Sequence, residues 1–145
     1  MDRKLIARKI AEESIVLLKN DSHLLPFSEG KMVAFFGRTQ IGTLYSGNGS
    51  GGANVVGCGT ILEECEIMYE IFGKYRPPLE EYEVLDTLIY QAAEKTDTAV
   101  LVIGRNSGGE ECDRHLTEDY YLTETEEKLV KEVCTHFANV AVVLN

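Results

Sequence analysis

Positive charge is scarce in this chain. Its 145 residues include 14 Lys and Arg against 24 Asp and Glu, which gives a formal net charge of -10. Nucleic acids and anionic membranes are bound by clustered basic side chains, so we expect neither as a partner. No apolar run approaches the roughly 20 residues that span a bilayer, and no apolar segment with a small-residue cleavage site follows Met1. The sequence therefore predicts a soluble protein located in the cytoplasm.

Metal-ligand spacing is also missing. The chain has four cysteines and three histidines; no two cysteines form a Cys-x-x-Cys pair, and the histidines do not fall beside them at ligand spacing. The cysteines are Cys58, Cys65, Cys112 and Cys134. We predict free, mostly buried thiols, no metal site and no cofactor. The length excludes an eight-stranded α/β barrel of about 250 residues and predicts a single domain over residues 1–145.

Apolar residues recur with helical and with strand-like patterns. The predicted helices are 2–19, 60–72, 79–95 and 123–136, of which the second and fourth begin with capping boxes. The predicted buried strands are 31–37, 98–103 and 140–144. This alternation predicts a mainly parallel sheet with right-handed crossovers and helices on both faces, a three-layer α/β/α sandwich. Because the last strand would leave an uncovered edge, we expect an incomplete domain and possible homo-oligomers formed through that edge.

An acidic segment, residues 108–114 (Gly-Gly-Glu-Glu-Cys-Asp-Arg), follows the predicted strand 98–103. In open α/β sheets ligands bind outside the carboxyl ends of the strands, where loops converge. A glutamate held there beside a second acid can donate a proton near neutral pH. Glu110 is therefore a candidate general acid, and Asp113 and Arg114 form a pair that can anchor the segment.

A glycine-rich segment, residues 38–59, follows the first predicted strand and has no regular pattern. It lacks the Gly-x-x-x-x-Gly-Lys-Ser/Thr motif and the Rossmann glycine spacing, which argues against nucleotide binding. Its polar side chains suit a polyhydroxylated ligand such as a sugar, and its glycines permit close approach. The candidates are Tyr45, Ser46, Asn48 and Ser50. A surface loop without a ligand fits the composition equally well.

Several motifs, taken in order, resemble one family. They are Ser-Ile-Val-Leu-Leu-Lys-Asn at 14–20, Leu-Leu-Pro-Phe at 24–27, Tyr-Ser-Gly-Asn-Gly-Ser-Gly-Gly at 45–52, Glu-Glu-Cys-Asp-Arg at 110–114 and Val-Val-Leu-Asn at 142–145. Together they resemble the α/β sandwich domain of glycoside hydrolase family 3, whose members include β-glucosidases. The resemblance spans nearly the whole chain.

The resemblance implies that two domains each contribute a catalytic residue. A TIM-barrel domain supplies an aspartate nucleophile, and a glutamate of the sandwich domain serves as general acid and then general base. Glu110 matches that glutamate, and Asp113 and Arg114 match the following Asp-Arg, which we interpret as shaping the loop. The family's usual glycine after the glutamate is replaced by Glu111, which leaves open which glutamate faces the sugar.

The expected function is therefore that of one part of a retaining β-glucosidase-like enzyme. Its substrate is a β-glucoside or short oligosaccharide, and we expect a parent protein in which this domain comes first and the barrel follows Asn145. The chain alone is expected to be inactive. The alternative is a non-catalytic α/β module that binds a sugar or a nucleotide through the glycine-rich segment.

Overall fold

The computed structural model describes residues 2–45, 59–61, 84, 86–105 and 120–145. Its helices are α1 (Arg3–Ser14), α2 (Asp86–Lys95) and α3 (Glu124–His136). Its strands are β1 (Ala34–Phe36), β2 (Thr98–Ile103) and β3 (Asn139–Leu144), and a short 3-10 helix spans Arg38–Gln40. The predicted helix 60–72 lies outside the described residues apart from residues 60 and 61, and so does most of 79–85.

The three strands form one parallel sheet in the order β1-β2-β3. In the register, Ala34 pairs with Ala99 on one side of β2 and Thr98 pairs with Asn139 on the other. The central strand β2 is buried from Thr98 to Val102, as its continuous apolar sequence predicts. The predicted bounds of β2 are confirmed, and the parallel α/β class is confirmed with them.

Helix α3 begins with the capping box that the sequence predicts. The Thr123 hydroxyl accepts from the N–H of Glu126, and the Glu126 carboxylate accepts from the N–H of Thr123. Leu129 and Val133 follow on the buried face of the helix. This spacing places α3 against β3 and against α2 and closes one side of the core.

The core is built around the sheet. The Phe36 ring meets the Phe137 ring edge-on, with centroids 5.6 Å apart. Ile89 and Ala92 of α2, one turn apart, are fully buried in the same cluster. The connector before β1 adds partly buried apolar side chains to it, namely Leu24, Leu25 and Phe27.

Two predicted elements are longer than the observed ones. Helix α1 ends at Ser14 rather than at residue 19, because Ile15 takes an extended conformation (φ -72°, ψ 124°), which β-branched residues favour. Strand β1 covers Ala34–Phe36 rather than 31–37: its pairing with β2 begins at Ala34, opposite Ala99, and Gly37, with a φ of +96°, ends it. β3 begins one residue earlier than predicted, at Asn139.

Candidate functional site

The carboxyl ends of the three strands lie at one edge of the sheet because the strands are parallel. Gly37 follows β1, Gly104 follows β2 and Asn145 follows β3 at this edge. The glycine-rich segment begins directly after Gly37, and the acidic segment begins shortly after Gly104. The structure thus brings the start of the glycine-rich segment and the chain that leads toward the acidic segment, as far as Arg105, to one edge of the sheet.

Asn145 connects this edge through both its backbone and its side chain. Its N–H donates to the carbonyl oxygen of Ile103 (2.9 Å), and its carbonyl oxygen accepts from the N–H of Arg105 (3.0 Å). Its side-chain Oδ1 accepts from the N–H of Leu44 (2.7 Å), and its Nδ2 donates to the carbonyl oxygen of Leu44 (3.1 Å). One residue therefore holds the end of β2, the start of the chain beyond it and the glycine-rich segment.

The glycine-rich segment is closed near its two ends. The Tyr45 hydroxyl donates to the carbonyl oxygen of Gly59, and the N–H of Ile61 donates to the Thr43 hydroxyl (3.0 Å). The Thr43 hydroxyl in turn donates to the carbonyl oxygen of Thr39 (3.0 Å). Tyr45 is 44% exposed, so its ring lies at the surface while its hydroxyl proton is used within the segment.

Arg105 and Glu126 form a two-pronged ion pair beside this edge. The Arg105 guanidinium donates to both carboxylate oxygens of Glu126, at 2.8 and 2.7 Å. It also donates to the carbonyl oxygens of Gly104 (2.9 Å) and Tyr121 (3.2 Å). The pair links the chain leaving β2 to the start of α3, which are the two ends of the stretch that contains the acidic segment.

The environment of Glu126 fixes its charge state. Burial alone would raise the pKa of this carboxyl, but hydrogen bonds from Arg105 and the Thr123 N–H, with the positive charges of Arg105 and Arg38, lower the pKa below its ordinary value. Glu126 therefore stays ionised at neutral pH and cannot act as a proton donor there. Its role is to hold Arg105 and to cap α3.

The 3-10 helix packs against the end of β2. The Thr39 hydroxyl donates to the carbonyl oxygen of Val102 (3.0 Å), and a Cβ at Gly104 would collide with the Thr39 methyl group. Gln40 is fully buried, and within the described part of the chain neither end of its side-chain amide has a hydrogen-bond partner. The glycine-rich segment, predicted to be irregular, thus begins with one tightly packed turn.

Most of the predicted site residues lie outside the described residues. They are Glu110, Glu111, Asp113 and Arg114 of the acidic segment and Ser46, Asn48 and Ser50 of the glycine-rich segment. Tyr45 is described, at the predicted edge. Sequence reasoning missed Arg105, Gln40 and the side-chain role of Asn145, and it identified Glu126 only as a capping residue.

Other predictions concern metals, membranes and thiols. Within the described ranges, no three His, Cys, Asp or Glu side chains are grouped as metal ligands. No helix in the described part of the chain has the length and apolar character to cross a membrane. Cys134 is free as predicted, but it is exposed on α3 rather than buried. The other three cysteines lie outside the described residues.

Two curated proteins to which the chain is similar are β-glucosidases. The chain is 29% identical to a β-glucosidase of Ruminococcus albus over 96% of its own length and 17% of that protein. It is also 29% identical to β-glucosidase A of Butyrivibrio fibrisolvens, over 92% of its length and 21% of that protein. The chain therefore spans about a fifth of the length of these relatives.

Solved structures agree in fold. β-Glucosidase 3B of Thermotoga neapolitana, in complex with α-D-glucose, superposes with a TM-score of 0.83 and 30% identity over 98% of this chain and 24% of that one. A β-glucosidase of Paenibacillus barengoltzii gives a TM-score of 0.80 and 31% identity over 90% of this chain and 17% of that one. These matches confirm the predicted fold class.

The family model described as the glycosyl hydrolase family 3 C-terminal domain matches residues 15–145. This range contains all three strands, the glycine-rich segment and the acidic segment. This match confirms the resemblance found in the sequence. The chain is a member of the glycosyl hydrolase family 3 C-terminal domain family.

Proposed function

We propose that this chain is the part of a retaining β-glucosidase-like enzyme that supplies the general acid/base, Glu110, and part of the sugar-binding surface. The nucleophile is an aspartate of a TIM-barrel domain outside this chain. Membership of the glycosyl hydrolase family 3 domain family supports this proposal, as do relatives named β-glucosidase of which the chain spans about a fifth. The glucose bound to the solved Thermotoga relative supports a sugar as the ligand.

The observation that supports the proposal is the contact, at one sheet edge, between the glycine-rich segment and the chain that leads toward the acidic segment. Asn145 is bonded both to Leu44, at the glycine-rich segment, and to Arg105, the last described residue before the acidic segment. Ligands of open α/β sheets bind outside this edge. A sugar held by Tyr45, Ser46, Asn48 and Ser50 would thus lie near the segment that carries Glu110.

The chemistry requires two carboxyl groups in different protonation states. In retaining hydrolysis one carboxylate attacks the anomeric carbon, while a carboxylic acid about 5 to 5.5 Å away protonates the leaving oxygen and later activates water. Glu126 cannot be the acid, because Arg105 keeps it ionised. Glu110 takes that role, and Asp113 and Arg114 shape its loop. Because the second carboxyl lies in another domain, the chain alone is expected to be inactive.

The proposal is tested in the full-length parent by Glu110→Ala, with Glu111→Ala as the matched control. We expect Glu110→Ala to slow cellobiose hydrolysis by roughly 100-fold or more, with a much smaller effect on p-nitrophenyl β-glucoside, whose leaving group scarcely needs a proton. Azide should restore activity and give β-glucosyl azide. Glu111→Ala should slow the hydrolysis of neither substrate in this pattern and should not respond to azide.

Other outcomes would contradict the assignment. The same pattern in Glu111→Ala alone would move the acid/base role to Glu111. Equal losses on both substrates without azide rescue would argue against an acid role for Glu110. An inactive wild-type parent that still binds glucose would favour the non-catalytic binding module.

A further inference from the structure

Within the described residues, Asn145 contacts the glycine-rich segment through its side chain and not through its backbone. Its amide pairs with both the N–H and the carbonyl oxygen of Leu44, the residue before Tyr45. An amide is the neutral side chain that offers a donor and an acceptor in one plane. The pairing therefore repeats the exchange that two backbone strands would make, at a point where β1 has already ended.

Asn145 holds the chain beyond β2 by its backbone. The N–H donates to Ile103 and the carbonyl oxygen accepts from Arg105, and Arg105 is also fixed by its ion pair with Glu126. These contacts do not involve the Asn145 side chain. A substitution at Asn145 therefore distinguishes the two experimentally, because it removes the contact with Leu44 and leaves the backbone contacts of Ile103 and Arg105 in place.

We propose that Asn145 is a positioning residue for sugar binding, whose side-chain amide fixes Leu44 and thereby places the adjacent Tyr45 at the carboxyl edge of the sheet. This inference rests on the proposed function, in which the glycine-rich segment binds the sugar and Glu110 supplies the proton. It assigns the two functions to two separately anchored segments. Loss of the Asn145 amide should therefore weaken substrate binding and spare proton transfer.

The chain contains a matched control for this contact. The Asn20 side chain makes the same pair of bonds to Leu25: its Nδ2 donates to the carbonyl oxygen (2.7 Å), and its Oδ1 accepts from the N–H (3.0 Å). This second clasp closes a turn in the connector before β1, where none of the strand ends lies. Asn20→Ala removes the same two hydrogen bonds without acting on the glycine-rich segment.

The test uses the full-length parent with Asn145→Ala, Asn145→Asp and Asn20→Ala, assayed on p-nitrophenyl β-glucoside and cellobiose below the unfolding temperature of each variant. For Asn145→Ala we expect KM to rise roughly tenfold or more on both substrates, because small displacements of binding groups are costly. The ratio of kcat values for the two substrates should stay as in the wild type. Asn145→Asp, which keeps the acceptor and loses the donor, should show the same effect to a smaller degree.

The control and the acid/base variant make the result decisive. Asn20→Ala should lose stability but keep KM within about twofold of wild type, as expected for a contact that acts only on folding. Wild-type KM in Asn145→Asp, or an equal rise of KM in Asn20→Ala, would overturn the positioning role. Glu110→Ala tests the proposed function separately. It should alter the ratio of kcat values for the two substrates, whereas the Asn145 variants should leave this ratio unchanged.

Discussion

Glu126 is a carboxylate whose burial and pairing decide its contribution to stability. Its side chain is 6% exposed and lies 2.7 Å from the Arg105 guanidinium. Removing one partner leaves the other charge buried without its main hydrogen bonds. The resulting loss of folding stability is larger than the net stabilisation that the intact pair provides. Among the described residues, Glu126 is the carboxylate that falls in the buried class, so its pairing matters more than that of an exposed carboxylate.

Glu126→Gln should lower the free energy of unfolding by roughly 2 to 3 kcal/mol at pH 7. The folded-state pKa is depressed, so the stabilisation by Glu126 is present above the unfolded pKa of about 4.3. It is lost as pH falls through the folded pKa. Urea denaturation from pH 7 to pH 3 should therefore show the difference between wild type and variant shrinking below about pH 4.3.

The control for this pH dependence is Glu12→Gln. Glu12 pairs with Arg8 at the same 2.7 Å, but both side chains are exposed on α1. Exposed pairs contribute about 0 to 1 kcal/mol, so this variant should resemble the wild type throughout. A Glu126→Gln difference that stays constant down to pH 3 would mean that the lost contact is packing and not charge.

At the scale of elements, the junction after β1 depends on a glycine. Gly37 has a φ of +96°, and a Cβ there would collide with the carbonyl oxygen of Val102. The left-handed conformation turns the chain into the 3-10 helix, and the missing side chain lets that turn approach β2. The packing of the candidate site against the sheet begins at this residue.

Gly37→Ala should therefore destabilise the protein by roughly 3 kcal/mol or more, since backbone strain and a clash with backbone act together. The matched variant is Gly30→Ala, where φ is +74° but an added Cβ would meet no atom within 4 Å. Gly30→Ala introduces backbone strain without a clash and should lower the free energy of unfolding by about 1 kcal/mol. Thermal and urea unfolding measure both, and equal losses would show that the contact with Val102 relaxes.

The elements differ in how well local sequence predicts them. The continuous apolar run of β2 and the Thr123–Glu126 capping box each determine their element locally, and both are confirmed. The predicted end of α1 is wrong, because the helical spacing of apolar residues continues through Ile15–Leu18 while the backbone becomes extended. The 3-10 helix escapes prediction because its stability comes from Val102, far away in the sequence.

Across the whole molecule, local sequence patterns predict where the candidate site lies but not the contacts that build it. The rule that ligands lie at the carboxyl ends of parallel strands locates the edge from sequence. The contacts that organise the edge join Leu44 to Asn145 across 101 positions and Arg105 to Glu126 across 21. Pairings over such distances depend on strand order and register, which single-sequence patterns do not specify.

The whole molecule also shows an amino-terminal part that adds little to its core. None of the residues of α1 is buried, and the apolar run after it is exposed, with Ile15 80% and Leu18 78% accessible. Exposed apolar surface of this extent usually marks an interaction site. The folded unit defined by the sheet, α2 and α3 should therefore be nearly independent of residues 2–18.

Deleting residues 2–18 should change the free energy of unfolding of this chain by less than about 1 kcal/mol, because none of these residues is buried in the core. The deletion keeps Asn20 and its clasp on Leu25, so the connector before β1 stays closed. The chain has no tryptophan and seven tyrosines, so urea unfolding is followed by tyrosine fluorescence. Leu101→Ala, in the middle of β2, serves as the sensitive control and should cost about 3 kcal/mol. A loss of that size from the deletion would show that α1 and its apolar run stabilise the core and do not form a free interaction surface.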